Sequence, residues 1–550
     1  MQKPAKPWTL GSKAELQRVR MRAWRMTVPS IAPQELKRLL ASDGQEVAFL
    51  DIREFGEYGT GHPFQSVNAP FSLLEARIGE LVPRLSTLLV VMDSSDEGRA
   101  RRAGQCLADL GYSNIAWLEG GAAGWRDAGY SLFAGVNVVS KTFGELVHKQ
   151  LEPAEIGAAQ LAEWQRQGLP VYIIDGRPVA EYNKMNIPAS MCCPNGELAK
   201  RISTILDGDT ETPVVINCAG RTRSIIGAQT LRWLGIKNPV YALENGTQGW
   251  QLAGLSLECG SKRYYPDEVR VDPAFGAAAR QFAESHQVAA VNEPTLNDWL
   301  ADEQRTTYVF DIRTEEEYRK NGHAAAVHAP GGQLIQAFDH WVGVQNARVV
   351  LIDDEECRAP MVAGWLALMG VDVAWLRGGR DSWRSLRNFK KQSESDLRLE
   401  IPRKVQLEEA LHPATLCLDA RPSMQYREGH LPGSFWANRS LLNEQITSTD
   451  YQQSVVIIAD MERAACLTIE LKAQGFKNIG WLASTLVDWQ NKGITLERTP
   501  NKPNDTSCID YLFFVHDRHD GNLEASRRYL AWETDLLAQL DDQERSIFRI

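Results

Sequence analysis

Short apolar runs recur along the chain, and each is followed by a longer stretch with helical periodicity. Four of these runs end in the pattern Asp-x-Arg: AFLDIRE, YIIDGRP, YVFDIRT and LCLDARP, at Asp51, Asp175, Asp311 and Asp419. A second apolar run comes later in each case: LLVVMD, PVVINC, RVVLID and SVVIIAD. Short β-branched runs that alternate with helical stretches are typical of βα units with a mainly parallel sheet.

The same markers appear four times in the same order, which predicts four related units. An aromatic residue follows each Asp-x-Arg, at Tyr58, Tyr182, Tyr318 and Tyr426. Gly-His follows in three units, at His62, His323 and His430, whereas the second unit has Asn186-Ile187-Pro188. Each helical stretch ends at a glycine suited to a helix C-cap, at Gly111, Gly235, Gly370 and Gly475, and each unit closes at a tryptophan, Trp125, Trp250, Trp383 and Trp489. The predicted fold class is α/β: four tandem domains, each a small parallel sheet flanked by helices.

The length of 550 residues is too great for one hydrophobic core and fits about four domains. The predicted division is a leader at 1–25, then units at 26–135, 145–260, 291–390 and 400–500, with a linker at 261–290 and a tail at 501–550. The linker is rich in helix formers at 273–285, and the tail predicts a helix from Leu523. We expect the tail to pack on the fourth unit.

Composition narrows the classes of partner. With 60 basic and 70 acidic residues the formal charge is −10, which opposes general binding to nucleic acid or an anionic membrane. No apolar run is long enough for a membrane helix, and the N-terminal residues lack the apolar core of a signal peptide. The nine cysteines lack zinc-ligand spacing, so the sequence predicts reduced thiols, a cytoplasmic protein and neither metal nor cofactor. The HDRHD cluster at 516–520 is interpreted as a polar turn.

One loop carries the residues of a nucleophilic site. Cys218 directly follows the run PVVIN and precedes a helix predicted to begin near Ser224. Unpaired backbone N–H groups and the helix dipole stabilise a thiolate or an oxyanion there, and Arg221 and Arg223 add positive charge. We expect at least one of these arginines to bind an anion, while the other is free to pair with Asp175.

The other three units act as an internal control. Counting back from the C-cap glycines places Ser94 and Asp353 at the position of Cys218, with Ala459 or Asp460 nearby in the fourth unit. None of these residues is a thiol. The loops SSDEGR and DDEECR are acidic and would repel a thiolate or an anionic substrate. The second unit alone is therefore predicted to be chemically competent.

The Asp-x-Arg strands, the Gly-His segments, the strand–Cys–loop–helix and the closing tryptophans together resemble the rhodanese family, over roughly residues 25 to 500. The resemblance implies a ping-pong sulfurtransferase, in which a cysteine takes a sulfane sulfur from a small anionic donor such as thiosulfate. The persulfide then passes to cyanide, a thiol or a protein acceptor. It further implies Cys218 as nucleophile, a binding cradle formed with Ala219, Gly220, Arg221, Thr222 and Arg223, and Asp175 with Arg177 as its brace. Thiosulfate enzymes of the family often have a basic residue directly after the cysteine, whereas this chain has Ala219.

Two other functions are compatible with parts of the sequence. A dual-specificity phosphatase uses a similar cysteine loop but needs an arginine six residues after the cysteine, where this chain has Ser224. A persulfide carrier or scaffold would use the three cysteine-less units to bind partners, and the sequence leaves that alternative open. Cys192, Cys193 and Cys357, together with the recurring histidines and tryptophans, are interpreted as structural.

Overall fold

The structure is a computed structural model. It describes residues 28–42, 44–96, 98–267, 269, 271–379, 382, 399–446, 451–483, 486–516 and 522–550. The predicted leader at 1–25, Trp383 and most of the HDRHD cluster lie outside the described residues. Within the described ranges, no helix combines the length and apolar character needed to cross a bilayer.

Four five-stranded parallel sheets form the framework, and the four-unit α/β architecture predicted from the sequence is confirmed. In every sheet the strands lie in the same order, first, fifth, fourth, second and third along the chain. The strands of repeats 1 and 2 are β1 Ser30–Ile31, β2 Val47–Asp51, β3 Val67–Asn68, β4 Leu88–Met92, β5 Ile115–Leu118, β6 Glu155–Ile156, β7 Tyr172–Asp175, β8 Met191–Cys192, β9 Val214–Asn217 and β10 Val240–Leu243. Those of repeats 3 and 4 are β11 Ala289–Val291, β12 Thr307–Asp311, β13 Val327–His328, β14 Arg348–Ile352, β15 Asp372–Leu376, β16 Arg403–Lys404, β17 Leu416–Asp419, β18 Phe435–Trp436, β19 Val455–Ile458 and β20 Ile479–Leu482.

Helices cover both faces of each sheet. In repeats 1 and 2 they are Pro33–Leu40, Phe55–Thr60, Leu74–Leu81, Arg99–Asp109, Gly121–Asp127, Ala158–Arg166, Val179–Lys184, Leu198–Leu206, Thr222–Leu234 and Gly246–Leu252. In repeats 3 and 4 they are Glu293–Ala301, Glu315–Asn321, Gly331–Gln336, Arg358–Leu368, Leu407–Ala410, Ser423–Glu428, Leu442–Gln445, Met461–Gln474 and Leu486–Asn491. Short 3₁₀ segments lie at Phe71–Leu73, Asn195–Glu197, Phe338–His340, Arg439–Leu441 and Asp505–Ser507.

Local sequence explains these elements. The central strands are apolar because helices cover both of their faces, as in β4 and β19. The four predicted C-cap glycines all have positive φ, between 80° and 108°, which ends the preceding helix without the strain that a Cβ atom would cause. The closing tryptophans that the structure describes are at most 2% exposed and belong to the core: Trp125, Trp250 and Trp489.

Strand register corrects one residue of the sequence comparison. The central strands pair Asp51 with Met92 and Asp175 with Asn217, so Asp93 and not Ser94 lies where Cys218 lies. The error arose because repeat 1 has one more residue between its strand and its C-cap glycine than repeat 2. The same register confirms Asp353 in repeat 3 and selects Ala459 in repeat 4.

Several helices lie outside the four sheets. A bridging helix, Val138–Leu151, joins repeats 1 and 2, and the linker helix predicted at 273–285 is present as Pro273–Ser285. The tail forms Phe513–His516, a C-terminal helix at Leu523–Gln539 and a last turn at Asp542–Ser546. Apolar side chains of repeats 1 to 3, the bridging helix and the C-terminal helix form one continuous core, which includes Phe143, Trp365 and Leu536.

The tail packs on repeat 4 only at its start. The Asp510 carboxylate accepts a hydrogen bond from the Ser423 amide at 2.7 Å. From Ile509 the chain crosses to repeat 1, where the Ile509 carbonyl accepts from the Glu57 amide, and the Trp532 ring then lies against Gly135. The prediction that the tail packs on repeat 4 is therefore wrong for the C-terminal helix, whose apolar face is buried against the bridging helix instead.

Buried ion pairs join repeats 2 and 3 and repeats 1 and 4, and repeats 1 and 3 are also in direct contact, as in the hydrogen bonds Thr306–Glu46 and Tyr308–Leu81. Repeats 2 and 3 meet so closely that a Cβ on Gly196 would lie 2.5 Å from the Gly332 nitrogen. Beside this contact the Arg358 guanidinium, wholly buried, binds Glu197 at 2.9 Å across the interface. In the other pair, buried Arg439 of repeat 4 binds Glu75 of repeat 1. A buried ion pair thus joins each pair of repeats.

Replacing Arg358 tests the importance of the first ion pair. Arg358 also binds Glu317 and Asp354, so Arg358→Ala would leave three carboxylates without their shared cation. Breaking a buried pair in this way typically costs about 3–5 kcal/mol. We expect the midpoint of thermal unfolding, followed by circular dichroism, to fall clearly.

The matched control is Arg319→Ala in the same repeat. Its ion pair with Glu315 is more than 60% exposed on both sides, and exposed pairs contribute about 0–1 kcal/mol. Equal unfolding midpoints for the two variants would contradict the assigned role of Arg358.

Candidate active site

Cys218 lies at the carboxyl end of a central strand. It follows β9, which pairs with β7 on one side and β10 on the other, and the helix Thr222–Leu234 begins four residues later. This helix, hereafter the cradle helix, begins slightly earlier than the predicted start near Ser224. The Cys218 side chain is buried, with 2% of the residue exposed. Its Sγ accepts a hydrogen bond from the Ser224 hydroxyl at 3.2 Å.

The predicted cradle is one continuous loop around a cavity. The cavity measures about 420 Å³, and Cys218 lines it together with all five predicted cradle residues, Ala219, Gly220, Arg221, Thr222 and Arg223. The carbonyl oxygens of Cys218 and Ala219 accept from the backbone amides of Thr247 and Gln248. Gly246 permits this contact, since a Cβ there would lie 2.2 Å from the Cys218 carbonyl oxygen. The loop is therefore fixed from behind by the next helix.

Asp175 and Arg177 form a buried pair behind the loop. Arg177 donates to the carboxylate of Asp175 at 2.9 and 2.7 Å, and Asn217, the residue before Cys218, donates to the same carboxylate at 2.9 Å. The predicted brace thus reaches Cys218 through Asn217. The same Asp–Arg pair recurs in the other repeats, at Asp51–Arg53, Asp311–Arg313 and Asp419–Arg421. The pair is therefore a feature of the fold and is not confined to repeat 2, which contains Cys218.

Arg223 is also held in a recurring ion pair. Its guanidinium binds both carboxylate oxygens of Glu181, at 2.8 and 2.9 Å. Equivalent arginines in repeats 1 and 3 bind the equivalent glutamates, as Arg99–Glu57 and Arg358–Glu317. Because those repeats have no thiol at the Cys218 position, the Arg223–Glu181 pair is explained by the architecture alone.

Arg221 is specific to repeat 2. It binds Glu145 of the bridging helix through two hydrogen bonds of 2.6 and 3.1 Å. Burial raises the pKa of Glu145, although Arg221 opposes that shift. The equivalent residues in repeats 1 and 3 are acidic, and each accepts from a glycine amide: Asp96 from Gly120 and Glu356 from Gly378. The sequence comparison left a pairing with Asp175 open for one arginine, but both arginines hydrogen-bond glutamates instead.

Repeats 1 and 3, which have no thiol at the Cys218 position, show which chemical group the loop amides bind there. In repeat 3 the Asp353 carboxylate accepts four backbone N–H groups at the start of the following helix, at 2.8 to 3.1 Å. In repeat 1 the Asp93 carboxylate accepts from the Ala100 amide at 2.9 Å. In repeats 1 and 3 the loop therefore directs amides at the position that corresponds to the Cys218 side chain, and they stabilise the negative charge there. Repeats 1 and 3 fill that position with a carboxylate of their own.

Part of the cavity wall comes from outside repeat 2. The bridging helix contributes Asn137 at its cap and Lys141, repeat 3 contributes Gln333, Gln336 and His340, and the tail contributes Tyr529 and Glu533. The Glu533 carboxylate accepts from the Thr222 hydroxyl at 2.9 Å, across 311 residues of sequence. No local motif marks these residues, so sequence reasoning missed them.

The remaining candidates have structural contacts. Cys192 lies in β8 before the turn, where burial raises the pKa of its thiol to about 12. Burial and Asp353 raise the pKa of the Cys357 thiol well above its usual range. His62 and His430 stack on Tyr58 and Tyr426 of their own repeats, at 3.7 and 3.8 Å between ring centroids. Among the described residues, no group of three histidine, cysteine or acidic side chains is arranged to hold a metal.

Comparison with known families identifies the fold. The model of the Rhodanese-like domain matches residues 32–128, 157–253, 295–386 and 404–492, more than half of the chain. The chain therefore belongs to the rhodanese-like domain family. The recurring strand order and the Asp–Arg pair are common to its four domains.

A crystal structure of a thiosulfate sulfurtransferase from Pseudomonas aeruginosa is similar over 95% of this chain and 100% of its own, with 34% identity and a TM-score of 0.86. Two further solved structures match about a fifth of the chain. One is a rhodanese-related protein from Thermoplasma volcanium, with 27% identity over 19% of this chain and 97% of its own, at a TM-score of 0.17. The other, from Rhodopseudomonas palustris, is described as a possible tyrosine phosphatase. It shows 28% identity over 21% of this chain and 91% of its own, at a TM-score of 0.19. A comparison with curated proteins gives no match.

The contact between the C-terminal helix and the cradle is testable through Cys218 itself. In Glu533→Ala, Thr222 loses its acceptor and the cavity loses part of its wall, so the buried thiol becomes more accessible. We expect the rate of Cys218 alkylation by iodoacetamide, followed by peptide mass spectrometry, to rise severalfold. Asp535→Ala removes an exposed acid from the same helix and should leave the rate unchanged. Identical rates in both variants would show that Glu533 does not shield the thiol.

Proposed function

We propose that this chain is a sulfurtransferase in which Cys218 carries a sulfane sulfur as a persulfide. The proposal rests on which side chain lies directly after the central strand of each repeat. In repeat 2 this side chain is the Cys218 thiol, which lines a cavity, whereas in repeats 1 and 3 it is the carboxylate of Asp93 or Asp353. The similarity to a thiosulfate sulfurtransferase along nearly the whole chain supports the same class of reaction.

The proposed reaction has two steps that share one intermediate. In the first, the Cys218 thiolate attacks the outer sulfur of thiosulfate, the S–S bond of the donor breaks, and sulfite leaves with the bonding electron pair. In the second, cyanide or a thiolate attacks the outer sulfur of the persulfide, the new S–S bond breaks, and the Cys218 thiolate is restored. Neither step needs a metal, a cofactor or an external oxidant.

The cradle residues have distinct parts in this proposal. The loop amides stabilise the persulfide anion, as they stabilise the Asp353 carboxylate in repeat 3. The Ser224 hydroxyl donates to Cys218 Sγ and so stabilises the thiolate that leaves in the second step. Ala219 to Arg223 form the rim, with Asp175 and Arg177 as their support. We assign both loop arginines to holding the loop in shape, because each is bound by a glutamate.

The enclosed site favours small molecules over a protein acceptor. Cys218 is only 2% exposed, and parts of repeats 1 and 3, the bridging helix and the tail surround the cavity. A thiol on a folded partner protein would have to enter this cavity to reach the outer sulfur. A persulfide carrier that serves a partner is therefore the second candidate, and phosphatase chemistry is disfavoured because Ser224 occupies the place of the required arginine.

The proposed compartment is the cytoplasm. All nine cysteines lie in the described part of the chain and none forms a disulfide. Reduced thiols are typical of proteins in a reducing compartment. A nucleophilic thiol also needs such a compartment to remain available for the donor.

The proposal predicts thiocyanate formation from thiosulfate and cyanide, with parallel double-reciprocal plots because the two substrates never bind together. Cys218→Ser should lower the rate by roughly 10³-fold or more, since loss of a nucleophile removes the covalent route. Cys192→Ser and Cys357→Ser are the controls, and both should retain nearly full activity because their thiols lie outside the cavity lining. Unchanged turnover in Cys218→Ser would disprove the assignment of the nucleophile.

A further inference from the structure

The cavity contains more cationic groups than are available to a substrate. Five positively charged side chains line it, and four of them form ion pairs within the protein. These four pairs are Lys141–Glu533 at 3.5 Å, Arg177–Asp175 at 2.7 Å, Arg221–Glu145 at 2.6 Å and Arg223–Glu181 at 2.8 Å. A carboxylate bound to a guanidinium or an ammonium offsets its positive charge and so weakens its attraction for a further anion.

Lys184 is the fifth cation and differs from the others. It ends the helix Val179–Lys184, is exposed at the cavity, and forms no ion pair with any described residue. Its ammonium group stands on a flexible four-carbon stem with three donors, which suits a small oxyanion of variable orientation. Among the described lining residues, it is the cation left for the charged end of a substrate.

The backbone at Lys184 is fixed relative to the nucleophile. The carbonyl oxygen of the next residue, Met185, accepts from the Arg177 guanidinium at 2.6 Å. Arg177 binds Asp175, and Asp175 accepts from Asn217 at 2.9 Å, directly before Cys218. Three consecutive hydrogen bonds therefore set the distance between the base of Lys184 and the thiol, while the lysine side chain itself can adjust.

We propose that Lys184 binds the anionic end of the sulfur donor and so gives the site its preference for donors with a charged leaving group. The ligand class is thiosulfate and organic thiosulfonates, in which the sulfur that leaves with the electron pair bears anionic oxygens. The inference rests on the proposed sulfurtransferase function and deepens it. Lys184 is a specificity-determining residue here, and the covalent steps remain those of Cys218.

Repeat 3 supplies a matched control. Lys320 is the ninth residue after Asp311, as Lys184 is the ninth after Asp175, and it is also exposed at its helix end. Lys320 does not line the Cys218 cavity. Substitution of either lysine by glutamine removes one positive charge from the same place in a rhodanese-like unit.

The experiment compares Lys184→Gln, Lys184→Arg and Lys320→Gln in thiocyanate assays with two donors, thiosulfate and an alkyl hydropersulfide. With the second donor the Cys218 thiolate takes the outer sulfur, the S–S bond of the donor breaks, and an alkyl thiolate without anionic oxygens leaves. For Lys184→Gln we expect the KM for thiosulfate to rise about tenfold, which corresponds to the loss of one charge-assisted contact. We expect kcat to stay within about twofold, because binding and not the covalent step is affected. The KM difference should shrink in high salt, and the alkyl hydropersulfide should react equally well with every variant. Lys184→Arg should keep most of the affinity, and Lys320→Gln should behave as the unmodified protein.

Two results would overturn the inference and leave the proposed function intact. One is an unchanged KM for thiosulfate in Lys184→Gln while turnover still requires Cys218. The other is an equal rise in KM for the alkyl hydropersulfide, which would indicate a change in cavity shape and not the loss of a charge contact. Absence of turnover by the unmodified protein with both donors would instead contradict the proposed function, and the inference with it.

Discussion

The position after the central strand of each repeat, at the start of the following helix, is the constraint on which the site depends. Backbone N–H groups converge there and need an acceptor, because buried amides without partners are costly. Asp353 meets this need with four amide contacts and Asp93 with at least one. In repeat 2 the residue at that position is Cys218, whose Sγ accepts from the Ser224 hydroxyl. The same position thus holds a carboxylate in two repeats and, in repeat 2, the thiol that we propose as the nucleophile.

Carboxylates from outside repeat 2 bind polar and charged side chains of the cradle. The bridging helix supplies Glu145 for Arg221, and the C-terminal helix supplies Glu533 for Thr222. Both helices pack on repeat 2 within a core that also includes repeats 1 and 3. Repeats 1 and 3 therefore have a physical role in the site, because they hold the helices and walls that enclose Cys218.

Much of the fold was predictable because the repeat markers have local physical causes. The Asp-x-Arg pattern places two ion-pair partners two residues apart, and the C-cap glycines supply the positive φ that ends a helix. Both signals can therefore be recognised within a single unit. Cys218 and its loop follow from the strand–loop–helix order. The equivalence of Ser94 with Cys218 was wrong because loop lengths differ by one residue, which only strand pairing can reveal. Glu145 and Glu533 could not be predicted, since their contacts with the cradle join distant parts of the chain.

The central claim is that repeat 2 alone carries sulfur, on Cys218. The most direct test is peptide mapping by mass spectrometry of the intact chain after incubation with a sulfane-sulfur donor and trapping of persulfides with an alkylating reagent. The account predicts an added mass of about 32 Da, one sulfur atom, on the peptide that contains Cys218 and on no other cysteine peptide. An equal gain on a peptide with Cys106, Cys357 or Cys466, or a gain there without one at Cys218, would contradict it.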